Sequence, residues 1–148
     1  MELLKLVALD KEDLSIISAY MQDAVFKTAD LNYSARDKQF ALVGNRFVWE
    51  DSGGKRKRSY ERRRTALHFN RASQVRSRGF RRSDDDAVLS LLAVNFVPGE
   101  AEPAGRIELI FSGDAAIEFD VECVEAQLSD LGAAWETGFR PAHPLSDV

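Results

Sequence analysis

The hydrophobic period of this chain changes to two near Val25, and strand-like segments then follow one another as far as Phe119. Before the change, Leu14, Ile17, Tyr20, Met21 and Ala24 recur at steps of three and four, the spacing of one helix face. After it come seven strand-like segments, over 25–33, 39–50, 62–70, 73–80, 87–97, 106–111 and 116–119, all alternating except 87–97. The stretches between them are short and rich in turn residues, such as 34–38, 98–103 and Ser112-Gly113-Asp114. A parallel connection needs a dozen or more residues, usually a helix, and none of these stretches provides one. Successive strands must therefore run antiparallel, which excludes a doubly wound α/β fold.

The flanks complete the expectation. Leu3, Leu4, Leu6, Val7 and Leu9 form an apolar opening suited to an edge strand, and Asp10 is a good N-cap with Asp13 three residues later. Gly44 interrupts the second alternating segment, which predicts a bulge or bend there. The segment 87–97 is apolar at nearly every position and reads as a central strand covered on both faces. Asp51-Ser52-Gly53-Gly54 ends a strand, and 55–59 reads as a basic loop. After Asp120, Val121, Val124, Leu128, Leu131 and Trp135 recur at helical spacing, so a C-terminal amphipathic helix is predicted. The expected fold is α+β. It is a bent antiparallel sheet or partly open barrel of about seven strands, pleckstrin-homology-like, with an N-terminal and a C-terminal helix. Residues 1–140 form the expected domain and 141–148 a loose tail.

Composition closes off several classes. Hydrophobic residues make up 45% and charged residues 30% of the 148, which fits neither a disordered nor a membrane chain. The one cysteine, Cys123, excludes an internal disulfide and a thiolate-caged zinc site. No apolar run spans a bilayer, and the first residues lack the basic-then-apolar order of a secretory signal. A cytoplasmic location without membrane insertion is the expectation.

Charge carries the most information about function. Residues 55–82 hold twelve basic side chains against Glu61 alone, a net +11, while the remainder holds eight basic and 23 acidic residues, a net −15. Such polarity steers charged partners whatever the fold. Strand alternation places Arg64, Arg76 and Arg78 on outward faces, so the arginines read as a ribbon on a sheet, joined to a basic loop. The competing reading is that these arginines pair with the plentiful acids of the same molecule.

Several stretches resemble a family of short bacterial proteins, mostly alphaproteobacterial, whose function is unknown. They are Leu4-Lys5-Leu6 onward to Asp23, Asn45-Arg46-Phe47-Val48-Trp49-Glu50, Arg62-Arg63-Arg64-Thr65-Ala66-Leu67-His68-Phe69 and Val75-Arg76-Ser77-Arg78-Gly79. Leu128-Ser129-Asp130-Leu131-Gly132 with Trp135 completes the set. The resemblance implies a domain of unknown function and carries over no catalytic or binding residue.

Catalytic patterns are weak. His68 sits on a basic strand and His143 between prolines, and neither has the partners of a nucleophilic triad. Cys123 neighbours the apolar stripe and reads as inert. Asp84-Asp85-Asp86 reads as a solvated turn rather than a metal site, and Gly53-Gly54 lacks the context of a phosphate loop. The chain is expected to be a non-enzymatic binding module without metal or cofactor. Its expected contacts are Arg62, Arg63, Arg64, Arg76 and Arg78, with Lys55, Arg56, Lys57 and Arg58 as a flexible grip. An acidic protein partner, or self-association through the acidic half of a second copy, is the leading expectation. RNA or another single-stranded nucleic acid is the alternative, with Tyr60, Phe80 or Trp49 stacking on bases. An overall pI near 5.2 weighs against it.

Overall fold

The computed structural model describes residues 3–52, 54–80 and 86–132. The elements run β1 (Lys5–Ala8), α1 (Lys11–Tyr20), β2 (Val25–Ser34), β3 (Gln39–Ser52), β4 (Lys55–Phe69), β5 (Ala72–Arg78), β6 (Val88–Pro98), β7 (Gly105–Phe111), β8 (Ala116–Val121) and β9 (Ala126–Asp130). Asp10 caps α1 as its sequence predicts: its Oδ1 accepts the Asp13 amide at 2.8 Å, and Asp13 Oδ2 accepts the Leu9 amide at 3.3 Å. Leu14, Ile17 and Met21 turn the buried face inward, and Ser18 Oγ accepts the amide of Val94 on β6 at 2.9 Å. Asp10→Ala is expected to remove about 1 kcal/mol of stability, read as a lower urea midpoint at unchanged slope.

The nine strands form one antiparallel sheet in the order β1-β9-β4-β3-β2-β6-β7-β8-β5. It folds over on itself at the β2–β6 junction, where only Val25–Lys27 and Val88–Ser90 pair. Facing side chains fill the interior: Phe119 of β8 meets Phe40 of β3 at 5.1 Å and Phe69 of β4 at 5.2 Å between ring centroids. The edge-on and tilted geometries are those that aromatic quadrupoles favour. At one rim, Tyr33 Oη donates to the Ala72 carbonyl at 2.7 Å and the Ala72 amide to the Lys38 carbonyl at 2.8 Å, tying β2 and its turn to β5.

The predicted C-terminal helix is overturned, and with it the arrangement of about seven strands and two helices. Val121 ends β8, Val124 lies in a turn, and Leu128 is in the middle of β9. All three are buried, so a helical stripe and a strand–turn–strand path satisfy the same apolar positions. The alternation Ala126/Leu128/Asp130 inward and Gln127/Ser129 outward is the pattern the strand obeys. Backbone pairing decides between the two. β9 fills the slot between β1 and β4, pairing Leu128 with both Leu6 and Leu67, where a helix would leave the Thr65–Phe69 edge of β4 without partners. The comparison with pleckstrin-homology barrels loses the helix on which it rested. Leu131 follows the strand, while Trp135, the end of the expected 1–140 domain, His143 and the 141–148 tail lie outside the described residues.

Two smaller corrections follow. Residues 55–59 are the first part of β4 rather than a basic loop. The segment 87–97 is central in the sheet order but covered on one face only, with Leu89, Leu91 and Val94 buried and Val88 and Leu92 exposed. Near Gly44 the register does skip, on the partner strand between Phe26 and Leu31. A Cβ on Gly44 would stand 2.3 Å from the Val25 carbonyl oxygen and 2.4 Å from the Phe26 ring, so the crossing requires glycine.

Candidate anion-binding arm

Strands β3 and β4 outrun their neighbours. β2 pairs with β3 no further than Asn45, and β9 pairs with β4 only from Thr65 on. Beyond those points the two strands hydrogen-bond to each other, through Arg46↔Arg63, Phe47↔Arg62, Trp49↔Arg58, Glu50↔Lys57, Asp51↔Arg56 and Ser52↔Lys55. At about 3.3 Å per residue, the seven residues 46–52 make an arm roughly 23 Å long. The turn holds Gly54 at φ +79, a conformation suited to the short loop that joins Ser52 to Lys55. Sequence alternation alone does not reveal the arm, because its existence depends on where the neighbouring strands stop.

Arg46 and Asp130 secure its base. Arg46 donates from Nε to Asp130 Oδ1 at 2.8 Å and from Nη2 to Oδ2 at 2.7 Å, with both side chains almost wholly buried. Asp130 Oδ2 also accepts the Leu4 amide at 2.9 Å. Burial pushes the Asp130 carboxyl up, but Arg46 and the Leu4 amide outweigh it and hold the group below its ordinary range. The Arg46 guanidinium also lies over the Tyr20 ring at 5.9 Å. Neither Arg46 nor Asp130 stands out in the sequence. The one available signal is that Asp130 continues the alternation Ala126/Leu128 at an inward position.

The expected contact residues divide into two surfaces. Arg62, Arg63, Arg64, Lys55, Arg56, Lys57 and Arg58 are on β4, third from one edge, whereas Arg76 and Arg78 are on β5 at the opposite edge. The two segments follow each other in sequence but not in the sheet, so no continuous ribbon joins them. Internal pairing consumes part of the set. Arg63 meets Glu61 at 2.6 Å, Arg64 meets Asp30 at 3.8 Å, and Arg76 meets Glu118 at 2.6 Å and Asp120 at 3.2 Å. The hydrogen bond from Arg76 lowers the Glu118 carboxyl below its usual range. Lys55, Lys57, Arg62 and Arg78 are exposed, and no ion pair joins them to an acid among the residues whose side chains are described, which do not include Glu50 and Asp51. Arg62 is nonetheless held, its guanidinium lying 5.2 Å over the ring of its cross-strand partner Phe47.

The remaining candidates are scattered. His68 is half-buried on β4; burial lowers its pKa, and Glu125 partly offsets that. Cys123 lies in the turn between β8 and β9, not in the first turn of a helix. Asp84 and Asp85 are outside the described residues, and no group of three potential metal ligands occurs among those described. A cleft that the sequence does not foreshadow, of about 180 Å³, opens between β2 and β5. Leu31, Phe40, Val75, Phe80 and Ile117 line it together with Thr28, Ala29, Asn32 and Ser77, so apolar side chains and polar groups share the surface.

Fold and surface define an antiparallel β protein with a basic two-stranded arm anchored by a buried ion pair. The chain belongs to DUF2948, a family described as protein of unknown function, whose model matches residues 4–143. No curated protein matches it. Among the described residues, no helix is long and apolar enough to cross a membrane.

Proposed function

We propose that this protein is a non-enzymatic binding module that holds an acidic segment of a protein partner against the β3–β4 arm. The observation that carries the reading is the contrast between matched and unmatched cations. Arg63, Arg64 and Arg76 have carboxylates beside them, while Lys55, Lys57 and Arg62 on the arm are exposed without an ion pair to any acid whose side chain is described. Charges arranged in this way steer association and select partners by sign more than they add raw affinity. A short two-stranded arm fixes their spacing before the partner arrives, which reduces the ordering cost of binding. The acidic half of a second copy is one such partner.

Placement of Arg62 over Phe47 favours a second reading, single-stranded RNA, because an arginine plane backed by an aromatic ring offers a stacking platform for a base. One experiment separates the two. Lys55→Glu/Lys57→Glu/Arg62→Glu leaves the internal pairs untouched, unlike reversal of Arg63 or Arg64, and so is expected to fold normally. Binding to a labelled polyglutamate peptide and to a labelled RNA oligomer is measured across a salt series, alongside sedimentation of the free protein. Peptide affinity falling about tenfold or more in the folded variant supports the acidic-segment reading. RNA binding with a log–log salt slope of about −2, the value for three phosphate contacts on a single strand, would replace it. Equal binding of the peptide to both proteins would remove the arm from either role.

A further inference from the structure

We infer a second binding site, independent of the arm: the cleft between β2 and β5 accepts an extended peptide, which adds a strand to the free edge of β5, with apolar side chains alternating with acidic ones. The sheet leaves this gap by its own register. β5 pairs only with β8, so the edge of Val75–Arg78 away from β8 has no strand neighbour among the described residues. Opposite it, the β2–β3 ladder skips from Phe26 to Leu31 and β2–β6 pairing ends at Lys27, after which Thr28 donates its amide to the Ala87 carbonyl at 2.9 Å. The gap is pinned at one end, where Tyr33 and the Lys38 carbonyl bind Ala72.

The two faces of β5 specify the pattern of the occupant. Val75 and Ser77 line the cleft with Leu31, Phe40 and Ile117, while Arg76 and Arg78 are exposed on the other face. Gly79, at φ +83, packs so closely on Ala115 that a Cβ would stand 2.6 Å from its Cα, and the turn it makes brings Phe80 into the lining. A strand added at this edge inherits the same two-residue alternation, with one set of side chains over the cleft and the other beside Arg78. Arg76 is already engaged by Glu118 and Asp120, which leaves Arg78 as the cation available to the occupant. At about 180 Å³ the cavity is smaller than the roughly 300–1,000 Å³ of small-molecule sites, which favours a row of side chains over an enclosed ligand. Edge strands in most proteins are short, charged or covered to prevent such pairing. β5 has seven residues, and the charges on its exposed face, Arg76 and Arg78, would repel a basic strand but admit an acidic one.

The test uses the whole protein and an acetylated, amidated hexapeptide of alternating glutamate and valine. The same peptide with lysine for glutamate, and two versions N-methylated at alternate residues, serve as controls. Expected are saturable binding of the glutamate peptide, loss of at least tenfold with lysine, and loss with at least one N-methylated version, since N-methylation removes edge donors. Arg78→Glu should weaken binding about tenfold, and amide exchange should slow in β5. Undiminished binding of both N-methylated peptides overturns the inference. So does binding that survives Arg78→Glu but is lost in the Lys55/Lys57/Arg62 reversal, which would assign the peptide to the arm. Absence of any binding overturns it while leaving the arm's role to its own experiment.

Discussion

Replacing Asp130 with alanine is expected to cost about 3–5 kcal/mol of folding stability, the range for removing one partner of a buried ion pair. The cost comes from what is left behind. Arg46 keeps its charge at a site where its side chain is 6% exposed, and the Leu4 amide loses the acceptor that fixes β1 against β9. Urea unfolding followed by tryptophan fluorescence measures the change, and a loss below about 1 kcal/mol would contradict a dry, bidentate pair. Arg46→Met/Asp130→Leu should recover most of the loss, because replacing both partners with apolar groups removes the stranded charge. The pH dependence has a definite sign. Folding lowers the Asp130 pKa below the ordinary value of 3.8, so the unfolded chain takes up this proton first as pH falls. The stabilisation is complete above the unfolded value and disappears as pH drops through the folded one. The stability gap between the native protein and Asp130→Asn should therefore be constant near neutrality and narrow below about pH 4.

Phe119→Ala is expected to cost a similar amount, about 3–5 kcal/mol, for a different reason. Phe119 is the side chain through which β8 meets both Phe40 and Phe69, across the interior between the two halves of the folded-over sheet. Strand pairing between those halves is limited to a three-residue ladder, with flanking bonds at Asp23, Ala24 and Thr28 and the Tyr33 and Lys38 links to Ala72 at the far rim. Packing must therefore supply the rest of their cohesion, and the alanine leaves a cavity that the surrounding rings cannot close. Phe119→Leu should cost markedly less, because much of the volume is retained. A loss of under about 1 kcal/mol for the alanine variant, or a transition that separates into two phases, would show that the halves are held by something else.

The antiparallel succession was legible because its cues are local. Alternation around 39–50 and 106–111, the Ser112-Gly113-Asp114 turn and the Asp10 cap each depend on neighbours in sequence. The C-terminal helix was misread because Val121, Val124 and Leu128 satisfy two geometries at once, and the deciding fact is an unpaired edge on β4, half the chain away. The arginines were misread for a related reason. Arg64 and Arg76 are close in sequence, but the turn after Phe69 sends β5 to the far edge of the sheet. Which cations remain unmatched depends on Asp30, Glu118 and Asp120, whose positions are tertiary. The β2–β5 cleft is a mismatch between ladders, and no single segment encodes it.

The buried pair also imposes an order on biosynthesis. Arg46 and Asp130 are separated by 84 residues, so at a synthesis rate of about 5–20 residues per second the arginine waits roughly 4–17 s for its acid. Until then β4 lacks the neighbour it shares with β1, and the N-terminal half of the sheet keeps an open flank. The strand that closes the flank brings the carboxylate that neutralises Arg46. Completion of the sheet and discharge of its interior are thus a single late event, and a nascent chain halted before residue 126 exposes both an unpaired edge and an unbalanced charge to the quality-control machinery of the cell.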